Sequence, residues 1–95
     1  MKVIWTRPAL RELEAIADFI GRQNPRAAER VTGRVLTHAA TLGQHPYVGR
    51  PGRIAGTREL VVTGTPFIVP YRVRDDRVEI LSVFHGARRW PNDFP

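Results

Sequence analysis

Four side chains able to hold or stack on an anion, His85, Arg88, Arg89 and Trp90, fall within six positions near the end of the chain. They follow two strand-like runs, Phe67 to Arg74 and Arg77 to His85, joined by an Asp75-Asp76 turn. Arginine offers a planar fork of five donors that meets phosphate or carboxylate two bonds at a time and lies flat on rings or bases. An indole adds a stacking face, and an imidazole changes charge near neutral pH. The group is a candidate site for phosphate or for an acidic partner. One form of that reading is a small basic nucleic-acid-binding module, with Arg88, Arg89 and Trp90 supplying phosphate contact and stacking.

The whole chain shares this bias. Its formal net charge is +6, and of 15 basic residues only Lys2 is lysine. A GC-rich source explains the arginine ratio as well as a functional demand does, but not the net charge. Such a surface favours acidic partners. With no cysteine there is neither a disulfide framework nor a thiolate metal site, and His38 and His45 have no metal-ligand spacing, so no metal or cofactor is expected. No apolar run approaches the roughly 20 residues of a membrane span, and the first residues lack the apolar stretch of a signal peptide. A cytoplasmic protein with no membrane partner is expected.

Ninety-five residues, 42% of them hydrophobic, make one domain over residues 1–95, because chains this short bury only roughly 60–65% of their unfolded surface and cannot feed two cores. Lys2 to Trp5 reads as a short opening strand, with Thr6 a helix cap and Pro8 an early-turn proline. Leu10, Leu13, Ala17 and Ile20, with Ile16 and Phe19, recur at helical spacing and predict a helix over about Pro8 to Arg22. Asn24-Pro25 restarts a helix whose buried side is Ala28, Val31, Val35, Ala39 and Leu42, ending near Gly43. So short a connection makes an antiparallel helical hairpin. Arg11, Arg22, Arg26, Arg30 and Arg34, mixed with Glu12, Glu14, Asp18 and Glu29, read as solvated helix faces.

Gly43 to Gly56 is turn-rich and predicts a loop. Three β-type runs follow, Thr57 to Val62, Phe67 to Arg74 and Arg77 to His85, with connections short enough to allow only antiparallel pairing. Strict alternation in the last run puts Val78, Ile80, Ser82 and Phe84 on one face and Glu79, Leu81, Val83 and His85 on the other. Pro70 cannot donate to a ladder and implies an edge, a bulge or a bend. The predicted fold class is α+β: an N-terminal strand, a helical hairpin packed on a twisted antiparallel sheet, and a basic C-terminal tail.

That order of elements, together with Asn24-Pro25-Arg26-Ala27-Ala28, Gly56-Thr57-Arg58-Glu59-Leu60, Tyr71-Arg72-Val73, and Val78-Glu79-Ile80-Leu81 through His85 and Arg88, resembles the RelE/ParE toxin family of type II toxin-antitoxin systems over Trp5 to Pro91. The resemblance implies a cognate antitoxin whose disordered segment folds over the toxin and forms a hetero-oligomer with it. It also implies one of two targets. ParE-like members bind DNA gyrase and trap its cleaved-DNA complex without being enzymes, whereas RelE-like members cut messenger RNA on the ribosome.

Cutting RNA through its own 2′-hydroxyl needs a base, an acid and cations at the developing phosphorane charge. If the chain is a nuclease, His85 is the acid, Arg58, Arg72 and Arg88 the clamps, and Tyr71 or Glu59 the base. Against this, Ile68 stands where RelE-like nucleases commonly show arginine, and the tail ends Trp90-Pro91-Asn92-Asp93-Phe94-Pro95 without their tyrosine. The ParE-like reading is therefore favoured, with no catalytic residues and with Arg58, His85, Arg88, Arg89 and Trp90 binding the target. An antitoxin helix is expected on an apolar groove including Leu13, Ile20, Leu81 and Val83. Purely structural roles compete: His85 bonding a backbone carbonyl at a strand end, Arg58 and Glu59 making cross-strand ion pairs, and Trp90 closing one end of the core.

Overall fold

The computed structural model describes residues 1–87. Arg88, Arg89 and Trp90 lie outside the described residues. Two helices pack on one face of a mixed sheet, the α+β layout expected, in the order β1 (Lys2–Trp5), α1 (Arg7–Gly21), α2 (Pro25–Thr41), β2 (Arg50–Pro51), β3 (Arg58–Val61), β4 (Phe67–Arg74), β5 (Arg77–Ile80) and β6 (Phe84–His85). No helix among these residues is long and apolar enough to cross a membrane.

Both helices start where side-chain oxygens satisfy amides that the helix leaves unpaired. Asn24 Oδ1 accepts from the Ala27 N–H at 3.1 Å, with Pro25 in the first helical position, where its missing N–H costs nothing. Thr6 accepts from the Ala9 N–H at 3.4 Å, and its hydroxyl also donates to the Ile80 carbonyl at 2.8 Å. One threonine thus caps α1 and ties it to the end of β5.

The sheet runs β1-β5-β4-β3-β2, with β6 continuing against β4. β3, β4 and β5 form the expected antiparallel meander, and β2 adds a two-residue strand inside the predicted loop. β1 pairs in parallel with β5, Val3 opposite Val78 and Trp5 opposite Ile80, which makes the sheet mixed. The β4–β5 turn holds Asp75 and Asp76 at φ 54° and 57°, the left-handed pair of a two-residue hairpin whose twist matches its strands.

Ala9 and Leu13 of α1, Val31, Val35 and Ala39 of α2, and Leu42 meet Val62, Phe67, Val69, Tyr71, Val78, Ile80 and Val83 in one core. Of the stripe that the periodicity predicts for α2, Val31, Val35, Ala39 and Leu42 reach the core and Ala28 is only partly buried. On α1 the stripe is Ala9, Leu13, Ile16 and Ile20, while Leu10 and Phe19 are exposed.

Pro70 resolves into the bulge among its three predicted alternatives. Tyr71 is opposite Ile80 on β5, and Ile68 is opposite Phe84 on β6. Between those pairs β4 has two residues, Val69 and Pro70, against three, Leu81 to Val83. The Leu81 N–H donates to the Pro70 carbonyl at 2.9 Å, so the edge of Pro70 that lacks a donor faces the bulge, where the ladder is already broken. The extra residue reverses the alternation predicted beyond Ile80, since a shift of one moves each following side chain across the sheet. Val83 joins Val78 and Ile80 in the core, and His85 lies opposite core residue Phe67.

Candidate functional site

The two residues proposed as the base, Tyr71 and Glu59, are occupied with holding the fold. Tyr71 is fully buried, and its oxygen accepts the Gly49 N–H at 2.9 Å. Burial pushes its phenol above the ordinary range, with the Gly49 amide and the nearby Arg58 charge pulling the other way. The phenol proposed as a base is thus buried and bonded within the fold. Gly49 is required there, because a Cβ would sit 2.6 Å from the Tyr71 oxygen.

Arg58, opposite Tyr71 in the ladder, donates to the carbonyls of Tyr47 at 3.1 Å and Gly49 at 2.8 Å, with its guanidinium carbon 5.3 Å from the centre of the Tyr47 ring. Its partners are these carbonyls rather than Glu59. It braces a loop that presents Tyr47 and Val48, 60% and 64% exposed. Glu59 is buried on the opposite face of β3, where Arg50 grips it at 2.9–3.0 Å and the Arg53 N–H donates at 3.3 Å. Both carboxylate oxygens are bonded, which leaves no free base.

Arg72 pairs across the strands with Glu79 at 2.6 Å, and Arg74 and Arg77 close on the same carboxylate at 3.3 and 3.5 Å. The Arg72 bond, reinforced by the charges of Arg74 and Arg72 and opposed by desolvation, holds Glu79 below the ordinary carboxylate range. Arg72 has its own counter-ion, so its clamp assignment leaves it committed within the protein.

His85 is partly exposed. Its Nδ1 accepts the Ala87 N–H at 3.1 Å, which assigns the neutral ring's proton to Nε2, and its ring meets Phe67 edge-on at 5.7 Å and 80°. The backbone partner expected of His85 is thus an amide, not a carbonyl.

On the helix side His85 borders an apolar groove of about 540 Å³ between α1 and β4–β6, whose walls include Ile16, Phe19, Ile20, Val83 and Phe84. Of the four groove residues predicted, Ile20 and Val83 line it, Val83 at its floor and only 2% exposed. Leu13 and Leu81 are sealed beneath the surface, 6% and 1% exposed, Leu13 by its place on the core stripe and Leu81 by the bulge. Glu12, read as part of a solvated face, lines the same groove. Burial raises its pKa, and the Ser82 hydroxyl and Val83 N–H partly offset that. Ser82 lies near enough to influence the carboxylate without the geometry of a full hydrogen bond. The signal was present in the sequence: Glu12 is four residues before Ile16 and seven before Phe19, on one helical face. No group of histidine and carboxylate side chains among the described residues could hold a metal ion.

The arrangement offers an apolar groove, an exposed tyrosine braced by arginine and a cationic patch, with no bonded acid–base pair among the described residues. Residues 3–90 match the family model described as the ParE toxin of the type II toxin-antitoxin system parDE. Toxin Y4kP of Sinorhizobium fredii is 47% identical over 90 residues, covering 95% of this chain and 93% of that protein. Toxin RelE2 of Caulobacter vibrioides is 42% identical, covering 92% and 97%. The chromosomal ParDE toxin-antitoxin system of P. aeruginosa superposes with a TM-score of 0.83 at 30% identity, covering 90% of this chain and 95% of that one. This chain belongs to the ParE toxin family of type II toxin-antitoxin systems.

Proposed function

We propose that this toxin arrests growth by binding DNA gyrase in the cytoplasm, and that a cognate antitoxin neutralises it in a toxin–antitoxin hetero-oligomer. The observation that carries the reading is the state of the would-be catalytic groups. Tyr71 is buried on Gly49, Glu59 is bonded by Arg50, Arg72 is bonded by Glu79, and Ile68 stands where RelE-like nucleases commonly show arginine. What remains for a target is a set of adhesive side chains: His85, the exposed Tyr47 and Val48 held up by Arg58, and, from the sequence, Arg88, Arg89 and Trp90. Interfaces draw their energy from such aromatic and arginine anchors. The groove walled by Ile20 and Val83 suits the apolar side of an antitoxin helix.

The relative named RelE2 favours a second reading, a ribosome-dependent messenger RNA endonuclease with His85 as acid and Arg88 as clamp. Expression without antitoxin separates the two. Gyrase binding predicts filamentation, DNA-damage signalling and blocked supercoiling by purified protein. Loss of full-length messenger RNA with intact supercoiling would overturn the proposal in favour of the nuclease.

A further inference from the structure

On the far face of the sheet three arginines share one carboxylate. Arg72 and Arg74 on β4 and Arg77 on β5 converge on the single carboxylate of Glu79, at 2.6, 3.3 and 3.5 Å. Three guanidinium groups bring fifteen N–H donors to two oxygens, which accept about four hydrogen bonds. The donors therefore exceed the acceptors. The Nε of Arg77 shows the excess directly, since it is buried and has no hydrogen-bond partner. The cluster is also open: the Arg74 and Arg77 side chains are 53% and 43% exposed. Lys2, on the edge strand β1, lies opposite Arg77 and adds a further positive charge.

We propose that this cluster is a seat for an acidic side chain of the antitoxin, an Asp or Glu carboxylate laid between Arg74 and Arg77 and bonding the exposed guanidinium donors that Glu79 leaves over. The proposal rests on the toxin–antitoxin reading and names a second contact, on the face of the sheet opposite the apolar groove. A single carboxylate suits the site better than a nucleic acid does. Asp75 and Asp76 at the hairpin tip, next in sequence to Arg74 and Arg77, are exposed, and a phosphodiester strand, carrying a charge about every 3.4 Å, would meet them as it crossed. A peptide side chain brings a single charge to the arginines, where a strand brings a row of them. An antitoxin that places helix and acid together grips both faces of the toxin.

The test uses the full toxin and its cognate antitoxin, with affinity measured at two salt concentrations and folding checked by circular dichroism. Arg74→Ala with Arg77→Ala, both partly exposed, is expected to weaken antitoxin binding on the order of tenfold and to flatten its salt dependence. Arg74→Glu alone should weaken it further by repulsion. A folded double variant that binds antitoxin within about twofold of wild type overturns the proposal and leaves the toxin reading standing. So does a variant whose only loss is affinity for a bare oligonucleotide, which would make the cluster a nucleic-acid contact. Failure of the antitoxin to bind the wild-type chain at all would instead sink the toxin–antitoxin reading itself.

Discussion

Tyr71→Phe removes one oxygen and tests whether that oxygen is structural or chemical. In the wild type it accepts the Gly49 N–H at 2.9 Å with Tyr71 fully buried and Gly49 buried beside it. Phenylalanine fills the same space but accepts nothing, and water cannot reach the stranded amide without opening the loop. An unsatisfied buried donor costs about 1–3 kcal/mol. In a domain of this size each kcal/mol lowers the melting temperature by about 4–8 °C, so a drop of about 4–24 °C is expected. Thermal unfolding followed by circular dichroism at neutral pH reads it. Below the new midpoint the variant should still arrest growth, because the loop regains its position whenever the chain is folded. Gly49→Ala attacks the same contact from the other side and should also destabilise, through the clash of its Cβ with the Tyr71 oxygen. An unchanged melting temperature combined with lost toxicity would refute this reasoning and return Tyr71 to the list of reacting groups.

Three further perturbations follow from the geometry. Replacing Asp75-Asp76 with Asn-Gly relieves two left-handed residues at φ 54° and 57° and should stabilise by about 0.5–1 kcal/mol, read as a shift in denaturant midpoint with unchanged slope. Glu12→Gln should raise the melting temperature at pH 7. The folded-state pKa of Glu12 is raised by burial, so its contribution is fully present below the unfolded value of about 4.3 and lost as pH rises through the folded one, and the gap between variant and wild type should close by about pH 3. Glu79 has the opposite sign: its lowered pKa gives stability present above about pH 4.3 and lost as pH falls through the folded value, so Glu79→Gln should flatten the acid limb of the stability curve. A variant with the wild-type acid limb would show that the three arginines do not hold that carboxylate.

The helical hairpin was legible because its signals are local: Asn24-Pro25 fixes a start, and Val31, Val35, Ala39 and Leu42 fix a face. β4 was legible to the residue, bounded by Pro66 and the aspartate turn. The bulge was half legible. Pro70 announced an interruption, but the choice among edge, bend and bulge depends on the opposite strand, and so does the face given to Val83. The same dependence hid which roles were already taken. Nothing near Tyr71 in sequence reveals that Gly49 donates to it, nor anything near Glu59 that Arg50 will neutralise it. The Arg72–Arg74–Arg77–Glu79 cluster, by contrast, follows from alternation around a two-residue turn and was there to be read.

The strand made first has its partner among those made last. The Thr6 hydroxyl meets the Ile80 carbonyl across 74 positions, and β1 has no neighbour until β5 exists. At about 5–20 residues per second, a ribosome takes roughly 4–15 s to supply it. During that interval the nascent chain has an unpaired edge and an open core, so the toxin cannot assemble on the way out. Its harmful form arises as a final closure, at a moment when an antitoxin already in solution can be waiting.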